Sequence, residues 1–391
     1  MKPKIALVIQ RYGVDVLGGA EKLAAQVVEA IKGDYRITVI TTTAIDYISW
    51  ANHYDKGTTI EDEVEIIRFP VVKERKIDGF NTVNEKFFSK NEKSAAEEDE
   101  WFKMQGPECP DLIAFLKKNK SEFDCFVFFT YLYYPTVFGL PEVAGKSILV
   151  PTAHDEHPFY LNKVKDVLKA AQGLVFNTGS EKELLYRIHP DSVSRWVIGG
   201  TFIEPPEGLE NLPRPVSGQY CLYFGRLDKG KGLYDLFDYY QVIRAYHPAL
   251  QLVCLGGINP EIKSRVGILF PGYVSEIEKW AYIANCEFIV VPSLLESLSL
   301  TLLEGFAAGR PALVNAKSDV MVEHCRKSGA GLWYSDYTEF AACAEYLLNS
   351  QSCWKKMGKN GALYVKNHYY REKFRKIYID FINSTIKIQD Q

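Results

Sequence analysis

The chain is 391 residues long, 47% hydrophobic and 24% charged, with a formal net charge of −3. Such a length exceeds one ordinary hydrophobic core and predicts two domains, while the near-balanced charge excludes nucleic acid as the main partner. The eight cysteines (109, 125, 221, 254, 286, 325, 343 and 353) form no Cys-x-x-Cys pair and no framework spacing, which excludes a disulfide scaffold and fits a reducing, cytoplasmic setting.

The first apolar run, 5–9, is too short for a signal-peptide core and reads as a strand. A loop with Gly13, Gly18 and Gly19 follows, then Leu23, Ala24, Val27, Val28 and Ile31 at helical spacing, then a β-branched strand at 37–43. This is the opening βαβ unit of a parallel sheet. Further strands are predicted at 64–69, 126–130, 147–151, 174–177 and 196–199, with a charged, helix-compatible insertion over 81–105. Prolines and a glycine mark 206–217 as a linker. A second βα series starts at Tyr220, with strands at 220–224, 251–255, 266–270, 288–292 and 311–315. The end of the chain reads as a helix with Phe374, Ile377, Tyr378, Phe381 and Ile382 on one face. No run of about 18 apolar residues is present to span a membrane. The small basic cluster of Lys73, Arg75 and Lys76, diluted by Glu74, leaves peripheral membrane contact open.

Two carboxylates stand out. Glu296 and Glu304 straddle an expected helix start, directly after the strand at 288–292. Ser297 and Ser299 are good N-cap types, and an apolar run follows. A helix N-terminus suits a phosphate, because its N–H groups are unpaired and its end is partly positive. A carboxylate suits a pair of neighbouring hydroxyls, since it accepts two hydrogen bonds at once. One carboxylate before the helix and one inside it bracket a diphosphate with a diol on each side, which describes a nucleotide-sugar. A solvated loop and an exposed helix face is the bland alternative. Glu304 sits among Leu302, Leu303, Phe306 and Ala307, where a carboxylate needs a partner.

The run from Glu296 to Glu304 resembles the Glu-x7-Glu motif of the family 4 retaining glycosyltransferases. Four more segments of that family's pattern follow the same order: Gly225-Arg226-Leu with Lys231-Gly232, the Gly256-Gly257 turn, Gly272-Tyr-Val-Ser275, and Gly309-Arg-Pro311. The resemblance implies an α/β chain of GT-B fold: two Rossmann-like domains facing across a cleft, with the last helix crossing back to the first. The expected boundaries are 1–205 with helix 372–391, a linker at 206–217, and 218–371. By the same resemblance the C-terminal domain binds a UDP-, GDP- or ADP-sugar. The N-terminal domain, with the 81–105 insertion, binds a glycan or lipid-linked acceptor.

The expected site follows. Arg226 and Lys231 lie beyond a strand end, where such sheets bind ligands, and would neutralise a leaving diphosphate. Glu304 would hold the ribose diol and Glu296 the transferred sugar. The backbone of Ser297, Leu298, Ser299, Leu300 and Thr301 would face the donor. Gly18 and Gly19 let backbone approach a phosphate or sugar closely, and no G-x-G-x-x-G dinucleotide fingerprint is present. His154 resembles the family histidine beside the transferred sugar. The sequence His154-Asp155-Glu156-His157 also has metal-ligand types, but Pro151 and Pro158 argue against the helix that would bring them together. No Asp-x-Asp occurs, so no metal or cofactor is expected. Tyr131, Tyr133, Tyr134 and Trp50 are candidates for stacking on an acceptor sugar. The chain departs from the family at Ser297 and Ser299, where glycines are usual, and at Ala316-Lys317-Ser318. A nucleotide-sugar epimerase of the same fold, or a catalytically idle binding protein, are the alternative readings.

Overall fold

The structure is a computed structural model that describes residues 2–16, 18–257, 262 and 265–389. Leu17 of the glycine loop and positions 390–391 of the expected last helix lie outside the described residues. The chain divides into two compact units, Met1–Thr201 with Arg371–Gln391, and Phe202–Tyr370.

The first unit is built on eight strands: β1 Lys4–Val8, β2 Arg36–Thr42, β3 Gly57–Glu61, β4 Val64–Phe69, β5 Cys125–Phe129, β6 Ser147–Val150, β7 Gly173–Phe176 and β8 Trp196–Ile198. Their order is β3-β4-β2-β1-β5-β6-β7-β8. Only β3 runs antiparallel, on β4. Helices cover both faces of such a sheet, so the central strands are continuous apolar runs. β5, Cys-Phe-Val-Phe-Phe, is buried throughout. Strand order reverses between β1 and β5, whose neighbours lie on opposite sides. The helix Arg371–Gln389 belongs to this unit and packs on the helix Gly19–Ile31. Phe374, Tyr378, Phe381 and Ile382 are buried there, and Arg195 lies over the Phe381 ring at 4.0 Å.

The second unit holds β9 Tyr220–Phe224, β10 Gln251–Leu255, β11 Ile268–Gly272, β12 Ile289–Val291, β13 Ala312–Asn315 and β14 Gly331–Tyr334. The order is β11-β10-β9-β12-β13-β14, parallel throughout. Here the order reverses between β9 and β12. β11 begins two residues later than the spacing predicts. Gly267 has φ +80°, and the turn it makes, with Ile268 N–H on the Arg265 carbonyl, precedes the strand. Among the described residues no helix is long and apolar enough to cross a membrane.

Candidate functional site

Ligands of open parallel sheets bind beyond the carboxyl ends of the strands, where strand order reverses. In the second unit that point lies between β9 and β12. The loop after β9 carries Arg226 and Lys231, and the loop after β12 carries Glu296. Gly232 closes the first loop onto the second strand. Its φ is +71°, and a Cβ there would stand 2.4 Å from the Pro292 carbonyl oxygen. This approach brings Lys231 Nζ to 2.7 Å from Glu296 Oε1. The Lys231 N–H donates to Asp228 Oδ1 at 3.1 Å. Arg226 is half exposed, its Nε 3.7 Å from Asp228 Oδ2.

The second loop leads into the helix Leu300–Ala307. Ser299 stands at its N-cap, but not as a capping residue. Its backbone is left-handed, φ 63° and ψ 76°, and its side chain makes no cap hydrogen bond. A capping serine is extended, which swings its oxygen toward the first amides; the left-handed backbone does not. The Ser299 hydroxyl is buried without a partner. Ser297 and Leu298 are buried beside it. Leu300 begins the helix, and the Thr301 hydroxyl donates to the Phe224 carbonyl at 3.2 Å, tying the helix to β9. The loop is held from behind by His324, whose Nε2 lies 3.0 Å from the Leu298 carbonyl. A carbonyl only accepts, so Nε2 carries the proton and Nδ1 accepts from the Tyr364 hydroxyl at 3.1 Å. Burial pushes the His324 imidazole down to about 4, so it is neutral.

Glu304 lies on the inner face of that helix, its side chain 5% exposed. Its partner is Lys279, Nζ to Oε1 at 3.0 Å. Lys279 also donates to Glu276 Oε1 at 2.7 Å.

In the first unit the reversal lies between β1 and β5, and the loops after β1, β2, β5 and β6 carry the expected residues. Gly18 is extended, φ 171°, so its conformation does not demand glycine. Space does: a Cβ would stand 2.0 Å from Glu21 Oε2. Glu21 is buried and accepts from Arg11 Nη2 at 2.5 Å and Gln10 Nε2 at 2.8 Å. Gly18 therefore makes room for an internal ion pair. A Cβ on Gly19 meets nothing within 4 Å.

Three of the four aromatic candidates are core residues. Trp50 is buried and donates from Nε1 to the Gln105 carbonyl at 2.8 Å. Tyr134 is buried in the helix Tyr134–Gly139. Tyr131 is 1% exposed, and its hydroxyl donates to Glu156 Oε1 at 2.8 Å. A buried ring has no face left to stack on a sugar. Tyr133 alone is part-exposed, edge-on to Trp50 at 5.2 Å. Arg75 of the basic cluster is turned inward, donating to the Ile48 and Gln105 carbonyls at 2.9 and 3.0 Å.

His154 follows β6, its side chain 30% exposed, with Nδ1 3.5 Å from Glu156 Oε1. The neighbouring ligand types diverge. Asp155 pairs with Arg187 at 3.0 Å, and His157 stacks on Phe88 at 5.3 Å. Among the described residues no group of three or more His, Cys, Asp or Glu could hold a metal ion. Beneath His154, Glu181 is fully buried and accepts from the Ala153 and Asn177 N–H groups, each at 2.6 Å. Burial pushes its carboxyl up to about 7, against those bonds. Sequence reasoning missed Glu181, Lys279 and His324, and weighed Glu156 only as a metal-ligand type. Thr178-x-x-Glu181 did carry a helix-start pattern, but that pattern reads as an exposed cap.

Residues 218–350, within the second unit, match the model of the family Glycosyl transferases group 1. No curated protein matches the chain. Sucrose-phosphate synthase from Thermosynechococcus elongatus is similar in structure, with TM-score 0.72 at 16% identity over 98% of this chain and 100% of that one. An E. coli trehalose-6-phosphate protein bound with UDP-2-fluoro glucose gives 0.71 at 12%, over 97% and 98%. Anabaena HepE, in complex with UDP and glucose, gives 0.68 at 12%, over 98% and 100%. At these identities the likeness shows the fold, which is GT-B.

Proposed function

We propose that this chain is a retaining glycosyltransferase. It moves a sugar from a nucleoside diphosphate donor to a glycan or lipid-linked acceptor, without a metal, in the cytoplasm or at the inner face of the membrane. The observation that carries the reading is the meeting of Lys231 and Glu296 at the β9/β12 switch point, with Glu304 inside the following helix. A cation suited to a diphosphate thus touches a carboxylate suited to hydroxyls, and a second carboxylate follows in the helix after it. The similar proteins solved with UDP or a UDP-sugar support a nucleotide donor for the same fold.

Each group has a role. Glu304 accepts from the ribose hydroxyls. Arg226, Lys231 and the N-terminus of the helix Leu300–Ala307 stabilise the leaving diphosphate as negative charge builds on it. Glu296 accepts from hydroxyls of the transferred sugar and steadies positive charge at its anomeric carbon. The bond from that carbon to the diphosphate oxygen breaks and a bond to the acceptor oxygen forms on the same face. The acceptor's proton passes to a diphosphate oxygen. The first unit binds the acceptor: Gly18 and Gly19 let backbone approach it, His154 hydrogen-bonds a sugar hydroxyl, and Tyr133 contributes a part-exposed ring.

Product analysis tests this. The protein is incubated with UDP-, GDP- and ADP-sugars, with and without glycan or lipid-linked acceptors. Nucleoside diphosphate released with acceptor, and a product whose anomeric proton coupling matches the donor's, support the reading. An inverted product, or a free epimerised sugar without transfer, overturns it.

A further inference from the structure

We infer that Glu156 is a positioning residue that fixes the tautomer of His154, holding its proton on Nδ1 so that Nε2 meets the substrate as a hydrogen-bond acceptor. The identity of the substrate group, a sugar hydroxyl, rests on the proposed function; the tautomer does not.

The geometry is a short relay. Tyr131 is core, and its N–H donates to the Pro151 carbonyl at 3.0 Å, which locks the loop after β5 to the end of β6. Its hydroxyl then donates to Glu156 Oε1 at 2.8 Å, anchoring that carboxylate from inside the unit. The Glu156 N–H donates to the His154 carbonyl at 3.0 Å, a tight turn that brings the carboxylate back beside its own loop's imidazole. The same Oε1 stands 3.5 Å from His154 Nδ1, within a small ring rotation of a hydrogen bond. Asp155 is turned away, held by Arg187 and by the Tyr160 hydroxyl at 2.6 Å. His157 is stacked on Phe88, and Glu181 engages the Ala153 N–H behind the loop. Glu156 is therefore the adjacent carboxylate that faces the ring.

An ionised carboxylate only accepts. Burial works against ionisation of Glu156, but His154 and the Tyr131 hydroxyl outweigh it and hold the carboxyl below its ordinary value. The imidazole nitrogen that faces it must carry the proton, and in a neutral ring the other nitrogen then has the lone pair. Nε2 so arranged takes a hydrogen bond from a hydroxyl and offers none to a phosphate or carbonyl oxygen. The relay thus selects the kind of group that rests against His154.

The test uses the full chain with 15N-histidine, in the absence of any donor. The chain has seven histidines, and His154→Gln assigns the signal. At pH 8 the His154 spectrum should show a protonated Nδ1 and a bare Nε2. Glu156→Ala should move it toward the Nε2–H form that unconstrained imidazole side chains favour, and should lower kcat about tenfold with KM little changed. Tyr131→Phe, which keeps the ring and removes only the anchor, should move the spectrum part of the way. An Nε2–H tautomer in the unmodified protein, or a spectrum unmoved by both variants, overturns the inference. Because the spectrum needs no turnover, a protein with the expected tautomer and no transferase activity overturns the proposed function alone.

Discussion

Lys231 and Glu296, 65 residues apart in the chain, meet at 2.7 Å at the switch point of the second sheet. The ammonium assigned to the diphosphate is thus already neutralised in the free protein. A donor phosphate has to compete with Glu296 for it, or share it.

This coupling predicts opposite effects on binding and turnover. Glu296→Gln keeps the shape and removes the competing charge. A partly buried pair of this kind is worth about 1 kcal/mol, so nucleoside diphosphate should bind about fivefold tighter. Turnover of the nucleotide-sugar should fall at least about 100-fold, the scale of losing one electrostatic stabiliser of a transition state. Calorimetric titration and product release read the two arms. An unchanged affinity would show that the pair does not compete with the ligand.

Lys279 and Glu304 make a second, deeper pair. Lys279→Ala leaves the buried carboxylate short of a charged donor, which costs about 1–3 kcal/mol. Lys376 and Asp380 form an i,i+4 pair on the surface, their side chains 76% and 63% exposed, and Lys376→Ala should cost well under about 1 kcal/mol. Urea unfolding of the two variants measures the contrast. Equal losses would remove the special standing of Glu304.

Adjacent glycines should respond differently. Gly18→Ala drives a methyl into the Glu21 carboxylate and its Arg11 partner. About 1–3 kcal/mol of stability should go with it. Gly19→Ala meets open space at a helix start and should fold as well as the parent. Thermal melts decide; the reverse order would contradict the packing described.

Ser299 carries two local costs, a left-handed backbone and a buried hydroxyl without a partner. Ser299→Gly relieves both and should stabilise the protein by about 1–2 kcal/mol. If the hydroxyl serves the donor, affinity for the nucleotide-sugar should drop about tenfold at the same time. A stabilised variant with full affinity would make Ser299 a structural accident.

Two buried titrations oppose each other. The Glu181 carboxyl rises from 4.5 to about 7 on folding. The folded chain then binds the extra proton, so stability falls as pH rises from 4.5 to 7 and the cost is complete above it. The His324 imidazole falls from 6.5 to about 4. There the unfolded chain binds the extra proton, so stability rises with pH from 4 to 6.5. Each is worth about 3 kcal/mol, and between pH 4.5 and 6.5 they cancel. Glu181→Gln should unmask His324 and give a stability that climbs over that range. A flat profile in the variant would contradict one of the two shifts.

Legibility followed the range of the forces involved. Strands with apolar, β-branched runs, such as β1 and β5, declared themselves, because both faces of a parallel strand are buried. β3 did not: all five residues are exposed and show no alternation. β14, Gly-Leu-Trp-Tyr, opens on a glycine and leaves Leu332 half-buried and Trp333 exposed, so no continuous buried apolar run marks it. Within the site, a residue type and its place beyond a strand end could be read locally, but side-chain partners could not. Glu304 needs a partner by burial alone, yet Lys279 lies 25 residues earlier. Tyr131 looked like a sugar platform because it follows a strand, whereas the fold turns it inward to Glu156.

The most direct test of the central claim is calorimetric titration of the protein with UDP, GDP and ADP, beside Lys231→Ala. One nucleoside diphosphate should bind, and Lys231→Ala should weaken it about 10- to 100-fold, the worth of a hydrogen bond from a charged group. No binding of any of the three, or binding that Lys231→Ala leaves untouched, would contradict a donor site at the β9/β12 switch point.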